Sequence, residues 1–415
     1  MSKPRVALVI TTWFPNSHAD VIARHLFRGP RDVVRGSEAE EKNVVGWSRL
    51  ITGYELDGPH REPRVEVVSA YLEQQGVTRP EPRPDVGTDF LAEHGVPIFP
   101  TVAEAITLGG TGVAVDGVVL IGEHGDYEDN EFGQKLYPRR RLFDAAVAAM
   151  ITGGRTIPIF VDKHLSYAFT DARSMYDDAR RLGIPLLAGS SVPLAYREPT
   201  GADWRFGAPL TDCLVIGYGG AEVYGFHALE AGQALLERRA GGETGVVAVQ
   251  AWTGPEVGRL ATDPAGPLPP ELITAAAGAG GFDDAQNLIE QATDVYLVEH
   301  ADGDRLTVLM TDAVTDFLVA ARGPDDALAY RIALLGEQPY FFPHFARLVF
   351  QIEQLMIDRR APYPVERTLL TGGVIDGLMR SRAGAGRLKT PDLAIAYRGP
   401  EKIEGSAVAV PLPKS

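Results

Sequence analysis

The sequence predicts an α/β protein with two domains: a Rossmann-like, doubly wound parallel sheet at residues 1–190, and an α+β domain with an open mixed sheet at 191–415. Three observations carry this prediction. The chain has 415 residues, which is enough for two hydrophobic cores. Short β-branched runs alternate with amphipathic stretches through the first half. The runs are apolar at consecutive positions, which is typical of parallel strands covered by helices on both faces.

The first domain is predicted from an ordered series of strands and helices. The strands are, in order, RVALVIT, RVEVVSA, DGVVLIG, IPIFVD and PLLAG. The helices are expected at 17–27, 102–108, 136–151 and 169–182. The charged segment at 29–60 and the proline-rich QQGVTRPEPRPDVG interrupt this rhythm, so we interpret both as insertions on the surface of the core.

The second domain follows a different pattern. A long helix is expected at about 222–238, followed by the strands GVVAVQAW, VYLVEH and RLTVLM and a helical region at about 340–382. We expect a mixed sheet with helices on one side. The run AAAGAGG at 275–281 is expected to form a loop or linker.

Composition and charge exclude several classes of function. Hydrophobic residues make up 45% of the chain and charged residues 23%, which indicates a globular protein. The balance of 40 basic and 55 acidic residues gives a net charge of −15, which argues against nucleic acid and anionic membranes as partners. The single cysteine, Cys213, excludes a disulfide framework and a multi-thiolate zinc site, so we expect a cytoplasmic protein.

Polar side chains cluster just after the predicted strands, where ligands bind in open parallel sheets. They occur at three strand ends: His18 and Asp20; Glu123, His124 and Asp126; and Asp162, Lys163 and His164. A fourth cluster places His227 and Glu230 three residues apart on one face of a predicted helix. The sequence therefore predicts that these side chains meet in one crevice.

Imidazoles and carboxylates without thiolates form a ligand set suited to Zn²⁺, Mn²⁺ or Fe²⁺. The sequence predicts a divalent metal held by residues drawn from a pool of six: His124, His164, His227, Glu123, Asp162 and Glu230. The alternative is structural, because a single histidine at a strand end also serves as a cap or a hydrogen-bond partner. Asp20 can stabilise the first turn of its helix in the same way, and Lys163 can be an ion-pair partner of Asp162.

The segments VPIFPTVAEAITL, VDGVVLIGEHGDY, IPIFVDKHLSY and GGAEVYGFHALEAGQALLERRAGGETGVVAVQAW resemble the glucose-fructose oxidoreductase / inositol dehydrogenase family. The resemblance covers about residues 100–260, and the rest only in outline. It implies an NAD(P)-dependent sugar oxidoreductase that forms a homo-oligomer through its open sheet. His227 then falls on the family's catalytic histidine and Lys163 on its catalytic-site lysine, while Tyr224 and Glu230 replace two aspartates.

The turn after the first strand departs from that family. The family has a G-x-G-x-x-G turn there, which lets the backbone approach a pyrophosphate. This chain has TTWFPNS at 11–17, with no glycine, two bulky aromatic rings and a proline. The sequence therefore places a bound NAD(P) in doubt and favours a metal ion in the vacated crevice.

These observations predict a metal-dependent, non-redox enzyme of the lyase, isomerase or hydrolase type. Its substrate would be a small polar molecule such as a sugar, cyclitol or hydroxy-acid derivative. Lys163, Tyr224 and His227 are the expected catalytic residues. Two alternatives remain open: an NAD(P)-dependent sugar oxidoreductase, and a non-catalytic binding protein on a dehydrogenase-like scaffold.

Overall fold

A computed structural model describes residues 2–28, 62–76, 83–260, 266–335 and 342–412. The predicted insertion at 29–60 lies outside the described residues, and so does part of the proline-rich turn at 74–87. Within the described residues, no helix combines the length and the apolar character needed to cross a bilayer.

The first sheet has five parallel strands in the order β2-β1-β3-β4-β5. The strands are β1 Arg5–Ile10, β2 Glu66–Leu72, β3 Gly117–Ile121, β4 Ile159–Asp162 and β5 Leu186–Gly189. The helices of this half are α1 His18–Arg28, α2 Gly87–Glu93, α3 Val102–Thr107, α4 Arg139–Thr152 and α5 Phe169–Leu182. The predicted doubly wound parallel sheet is confirmed. The strand order reverses between β1 and β3, the point at which open sheets of this kind bind ligands.

Both faces of the first sheet are covered, which explains its continuous apolar runs. Helices α3, α4 and α5 pack on one face, and α1 packs on the other. A further helix, α10 (Pro343–Asp358), lies against α1 although it comes from the far end of the chain. Its apolar side chains, including Leu348 and Ile352, join the core formed by β1 and α1.

The second sheet is mixed and has eight strands in the order β13-β8-β9-β10-β7-β11-β12-β6. The strands are β6 Tyr196–Glu198, β7 Asp212–Gly217, β8 Val246–Thr253, β9 Ala292–His300, β10 Arg305–Thr311, β11 Phe317–Arg322, β12 Ala327–Ala333 and β13 Leu388–Lys389. Only β7 and β10 pair in parallel, and the other pairs are antiparallel. The predicted mixed sheet is confirmed.

Helices cover both faces of the second sheet, so the expectation of helices on one side is wrong. On one face lie α6 (Val223–Leu236) and α11 (Glu366–Arg380), and on the other lies α8 (Pro270–Ala279), with α7 (Pro255–Leu260) and α9 (Ala285–Glu290) beside it. The AAAGAGG run begins inside α8 rather than in a loop. Ala276 and Ala277 are buried in the core formed by α8 and the outer face of the sheet, because small side chains allow a helix to lie close to a sheet.

The predicted helical region at 340–382 consists of two helices, α10 and α11. The segment between them contains Pro362 and Pro364, and Arg359 at the end of α10 has a left-handed backbone with φ 52°. The first sheet ends at Gly189, and the first strand of the second sheet begins at Tyr196. The division into two domains near residue 190 stays a prediction, because α10 returns to the first half.

Candidate functional site

A cavity of about 650 Å³ lies where the carboxyl ends of β1 and β3 face α6 and the start of α10. Its volume is in the usual range for a small-molecule site. Residues from both halves of the chain line it, and four of them are histidines: His18, His124, His227 and His344. The cavity opens at the switch point of the first sheet, as predicted from the strand order.

The end of β3 supplies Glu123 and His124. The Glu123 carboxylate is buried, with Oε1 3.0 Å from Lys163 Nζ and Oε2 hydrogen-bonded to the Arg139 guanidinium. Burial by itself would raise the pKa of Glu123, but Lys163 and Arg139 outweigh burial and hold that pKa well below its usual range. Glu123 therefore keeps a negative charge at the wall of the cavity.

His124 follows Glu123 and adopts a left-handed backbone with φ 66°, which is unusual for a residue with a side chain. Its ring packs edge-on against Phe14, with the centroids 5.0 Å apart. Burial lowers the pKa of His124 to about 4, so its imidazole is neutral near neutral pH. Lys163, after β4, has a similar left-handed backbone with φ 64°.

The start of α1 and the end of β4 lie next to each other, at His18 and Asp162. His18 is the first residue of α1, and its Nδ1 lies 2.6 Å from Asp162 Oδ2. Asp162 is the last residue of β4 and is buried. The sequence placed these two residues after two separate strands, β1 and β4, but it did not predict that they pair with each other.

Helix α6 brings His227 and Tyr224 to the opposite wall of the cavity. The His227 Nδ1 lies 2.7 Å from the Ser190 hydroxyl, which also accepts the backbone N–H of Val192. Burial and the nearby positive charge of Lys163 hold the pKa of His227 well below its usual range. Tyr224 packs against Tyr218, with the ring centroids 4.8 Å apart.

The structure brings some of the predicted residues together. One potential ligand atom from each of His18, Glu123 and His124 lies within 4.8 Å of the other two. Among the described residues, no other group of three histidine, cysteine or carboxylate side chains is as close. His227 and Tyr224 line the same cavity.

Other predicted residues are directed elsewhere. His164 Nε2 lies 3.1 Å from Glu222 Oε1, and the Glu230 carboxylate accepts hydrogen bonds from the hydroxyls of Thr368 and Thr371. Burial raises the pKa of Glu230 and lowers the pKa of His164. Three of the six proposed ligands, Asp162, His164 and Glu230, therefore use their polar atoms within the protein and do not converge on the cavity.

Two further predicted residues also lie outside the cavity lining. Asp20 is fully buried under the turn after β1, where it accepts hydrogen bonds from Trp13 Nε1 and Arg24 Nε. Asp126 lies in the loop after β3, where its backbone N–H donates to the Gln74 side chain. The prediction that all the clusters share one crevice is therefore wrong for Asp20 and Asp126.

The turn between β1 and α1 is closed by its own side chains. The Ser17 hydroxyl accepts the backbone N–H of Phe14 and of Asp20, and the Asp20 carboxylate accepts the N–H of Asn16. The Trp13 side chain is buried against Gly87, where a Cβ would come within 2.8 Å of the Trp13 Cβ. This turn satisfies N–H groups that a G-x-G-x-x-G turn would offer to a phosphate.

Sequence reasoning missed several cavity residues: Ser191, Val192, Asp316, Phe317 and Phe345. Ser191 could have been predicted from the sequence, because it follows β5 just as the predicted clusters follow their strands. Phe345 belongs to α10, and no spacing in the sequence connects that helix to the first sheet.

No protein-family model and no curated protein sequence matches the chain. Solved structures do match over nearly its whole length. The protein GenD2 from gentamicin A biosynthesis, in complex with NAD, has a TM-score of 0.55 at 16% identity, covering 94% of this chain and 97% of that one. An NAD binding oxidoreductase from Klebsiella pneumoniae has a TM-score of 0.53 at 13% identity, with 94% and 99% covered.

An oxidoreductase from Agrobacterium radiobacter, in complex with NAD⁺, L-tartaric acid and magnesium, has a TM-score of 0.51 at 11% identity, covering 94% of this chain and 98% of that one. At these identities the likeness establishes the fold. The resemblance stated from the sequence therefore holds at the level of the fold.

These comparisons correct two predictions. The prediction of a metal-dependent, non-redox enzyme of the lyase, isomerase or hydrolase type is wrong, because solved structures that share the fold include an NAD binding oxidoreductase and an oxidoreductase in complex with NAD⁺. The cofactor prediction, a divalent metal with NAD(P) in doubt, is wrong for the same reason. The predicted ligands rested on residue types at strand ends, and half of the pool, Asp162, His164 and Glu230, lies outside the cavity lining.

Proposed function

We propose that this protein is an NAD(P)-dependent oxidoreductase that acts on a small polyhydroxylated substrate such as a sugar, cyclitol or hydroxy acid. The observation that carries the proposal is a cavity lined by four histidines and several apolar side chains, at the switch point of a fold shared with an oxidoreductase in complex with NAD⁺. The L-tartaric acid in the Agrobacterium structure is a hydroxy acid, which supports the substrate class.

The lining of the cavity fits a nicotinamide ring and a polyol. Val192, Val223 and Phe345 are apolar and suit a planar ring, while the imidazoles of His18 and His227 suit hydroxyl groups. A bound nicotinamide would supply hydride acceptance or donation, and the chain would supply binding, orientation and proton transfer.

Charged groups behind the cavity support the same chemistry. The buried set formed by Glu123, Lys163 and Arg139 carries one negative and two positive charges, which favours a developing alkoxide nearby. Lys163 itself is buried, and its Nζ is hydrogen-bonded to Glu123, which lines the cavity. We therefore propose that Lys163 positions the Glu123 carboxylate and does not contact the substrate.

The phosphates of a dinucleotide need other donors than the first turn of α1, because Ser17 and Asp20 already use the N–H groups there. Binding of the complete dinucleotide is thus the most direct test. We would titrate the purified protein with NAD⁺, NADH, NADP⁺ and NADPH by calorimetry, and then follow nicotinamide reduction with a panel of sugars, cyclitols and hydroxy acids.

A pair of matched variants locates the binding. Val223→Trp fills the cavity and is expected to abolish binding, whereas Val247→Trp, at a position 47% exposed on β8, leaves it unchanged. Saturable binding that Val223→Trp removes, with turnover of at least one substrate, supports the proposal. If none of the four dinucleotides binds, the oxidoreductase is refuted and a non-catalytic binding protein takes its place.

The homo-oligomer stays a prediction, and we propose that it does not form through the outer face of the second sheet. Helix α8 and its neighbours bury Leu214, Leu309 and Leu318 on the outer face of the second sheet within one chain. We expect any assembly to use another surface, which light scattering combined with cross-linking would identify.

A further inference from the structure

One of the four cavity histidines differs from the others in its partner. Among the described residues, His18 is the cavity histidine whose ring is hydrogen-bonded to a carboxylate, with Nδ1 2.6 Å from Asp162 Oδ2. His227 is hydrogen-bonded to the Ser190 hydroxyl. His344 has its Nδ1 3.0 Å from the Leu334 carbonyl oxygen.

The fold fixes the His18 and Asp162 pair from two sides. His18 begins α1, whose N-terminus is held by the Ser17 cap. Asp162 ends β4, where its backbone pairs with Gly189 of β5. The pair is therefore held in place by helix α1 on one side and strand β4 on the other. Because the hydrogen bond uses Nδ1 of His18, the other ring nitrogen, Nε2, remains for a ligand.

A carboxylate bonded to one nitrogen of an imidazole fixes the tautomer and makes the other nitrogen a better proton acceptor. His124, His227 and His344 lack such a partner within the described residues. Burial lowers the pKa of each of these three imidazoles, so they are weaker proton acceptors than an imidazole that is paired with a carboxylate.

We propose that His18, oriented by Asp162, is the catalytic residue that takes the proton from the substrate hydroxyl. This inference rests on the proposed oxidoreductase function. In the step, the substrate O–H bond breaks and its proton goes to His18 Nε2. A bound, oxidised nicotinamide would accept the hydride from the adjacent C–H bond, so the alcohol would become a carbonyl and the nicotinamide would be reduced. His227, which the sequence resemblance places on the family's catalytic histidine, binds the substrate instead.

The charges around His18 agree with this role. Burial lowers its pKa, but the charge and hydrogen bond of Asp162, with help from Glu123, outweigh burial and the opposing charge of Lys163, so the pKa is raised above 6.5. The other groups that face His18 are the imidazoles of His124, His227 and His344. Since a proton acceptor must be neutral, oxidation should speed up as the pH rises through the His18 pKa.

The first test uses the protein without any ligand. Proton titration of labelled histidine rings by NMR should show one cavity histidine whose titration midpoint lies above the ordinary histidine pKa of 6.5. The loss of this signal in His18→Gln would assign it to His18. In Asp162→Asn that midpoint should fall by roughly one pH unit or more. A midpoint for His18 below the ordinary value in the wild-type protein would overturn the proposal.

The second test uses a substrate and nicotinamide that the wild-type protein turns over. His18→Ala should lower kcat by roughly 10²–10⁴-fold with little change in nicotinamide affinity, and added imidazole should restore part of the rate. Asp162→Asn should move the acid limb of the pH profile to lower pH. His94→Ala is the matched control, because His94 directly follows α2, lies outside the cavity lining and has its Nδ1 2.7 Å from the Phe90 carbonyl oxygen.

The outcomes separate this inference from the function on which it rests. If the wild-type protein oxidises a substrate and His18→Ala keeps both its rate and its pH profile, the role of His18 is refuted and the oxidoreductase stands. If the wild-type protein binds no dinucleotide, the oxidoreductase fails and the proton step fails with it. Circular dichroism of each variant checks its folding. If His18→Ala does not fold, the rate and the pH profile are measured instead on the conservative variants His18→Gln and Asp162→Asn.

Discussion

Two buried glutamates, Glu123 in the first half of the chain and Glu243 in the second, have similar immediate surroundings. Each forms an ion pair with an arginine, each lies near a histidine, and the pKa of each is lowered despite burial because nearby cations stabilise the charge. From sequence, Glu123 was a predicted metal ligand after β3, whereas Glu243, just before β8, had no predicted role.

Their hydrogen bonding differs. The Glu243 carboxylate accepts five hydrogen bonds, from the side chains of Gln233, Arg239 and His300 and from the backbone N–H groups of Thr244 and Gly245. The side chain has no exposed surface, so this carboxylate is saturated and sealed.

Among the described residues, only the side chains of Lys163 and Arg139 donate hydrogen bonds to the Glu123 carboxylate, and Glu123 lines the cavity. Two nitrogens of Arg139, Nε and Nη1, are buried without a hydrogen-bond partner in the described part of the chain. In the Glu243 cluster, His300 Nε2 is also buried without a partner in the described part of the chain, so unpartnered nitrogens alone do not separate the two clusters. The comparison teaches that a buried charge cluster marks a functional site when its carboxylate lines a cavity. A carboxylate that is saturated and sealed, such as that of Glu243, stabilises the fold.

The largest expected effect comes from Glu243→Ala. The change removes the acceptor of five buried hydrogen bonds and leaves His300 Nδ1 without its partner, while Arg239 keeps Asp302 and Asp304. We therefore expect a loss of about 3–5 kcal/mol in the free energy of unfolding. Urea denaturation measures it. Glu243→Gln, which keeps an acceptor for the N–H groups, should lose less. A loss from Glu243→Ala below about 1 kcal/mol would contradict the structural role of this cluster.

The same change at the other carboxylate, Glu123→Ala, should cost less stability. Water entering the cavity can solvate the cations left behind, so we expect a loss of about 1–3 kcal/mol by urea denaturation. The binding of nicotinamide measured by calorimetry should weaken at the same time. If Glu123→Ala destabilises the protein more than Glu243→Ala does, the distinction between an open and a sealed cluster fails.

The pH dependence of stability provides the third test. The pKa of Glu243 is lowered in the folded state, so the unfolded chain binds the extra proton as the pH falls. The stability from Glu243 is present above its unfolded pKa near 4.5 and is lost as the pH falls toward the folded pKa. Between about pH 6 and pH 3 the wild-type protein should lose about 2 kcal/mol more than Glu243→Gln does. Parallel curves for the two proteins would rule this contribution out.

The smallest effect concerns the turn beside the cavity. Ser17→Ala removes the side chain that accepts the N–H groups of Phe14 and Asp20, and we expect a loss of about 1 kcal/mol in the free energy of unfolding. Ser174→Ala is the matched control, because the Ser174 hydroxyl is on an exposed face of α5 and only donates to the Thr170 carbonyl. Equal stability of the two variants would show that Ser17 does not hold the start of α1.

The fold was predictable to a large extent because burial on both faces imposes continuous apolar runs. The strands β1, β3 and β4, and the helix at 169–182, lie where the sequence placed them. The run at 275–281 was misjudged because glycine and alanine are typical of loops, and only the sheet beneath Ala276 shows why small residues are needed there.

The candidate site was predictable in part. The positions of His18, Glu123 and His124 follow from the rule that polar residues after parallel strands meet at one edge. Partner choice did not follow from that rule. Residue type and spacing do not distinguish Asp162, which bonds His18, from Glu230, which bonds two threonines on α11.

The sequence by itself determined that this chain forms a doubly wound sheet followed by a mixed sheet, and that imidazoles and carboxylates gather at the switch point. The spacing of apolar residues is a local property of the chain, so the sequence alone is enough to recognise it. Only the tertiary structure decided which of these side chains face the cavity and which satisfy one another, because a hydrogen bond of under 3 Å depends on atoms contributed by elements as far apart as α1 and β4.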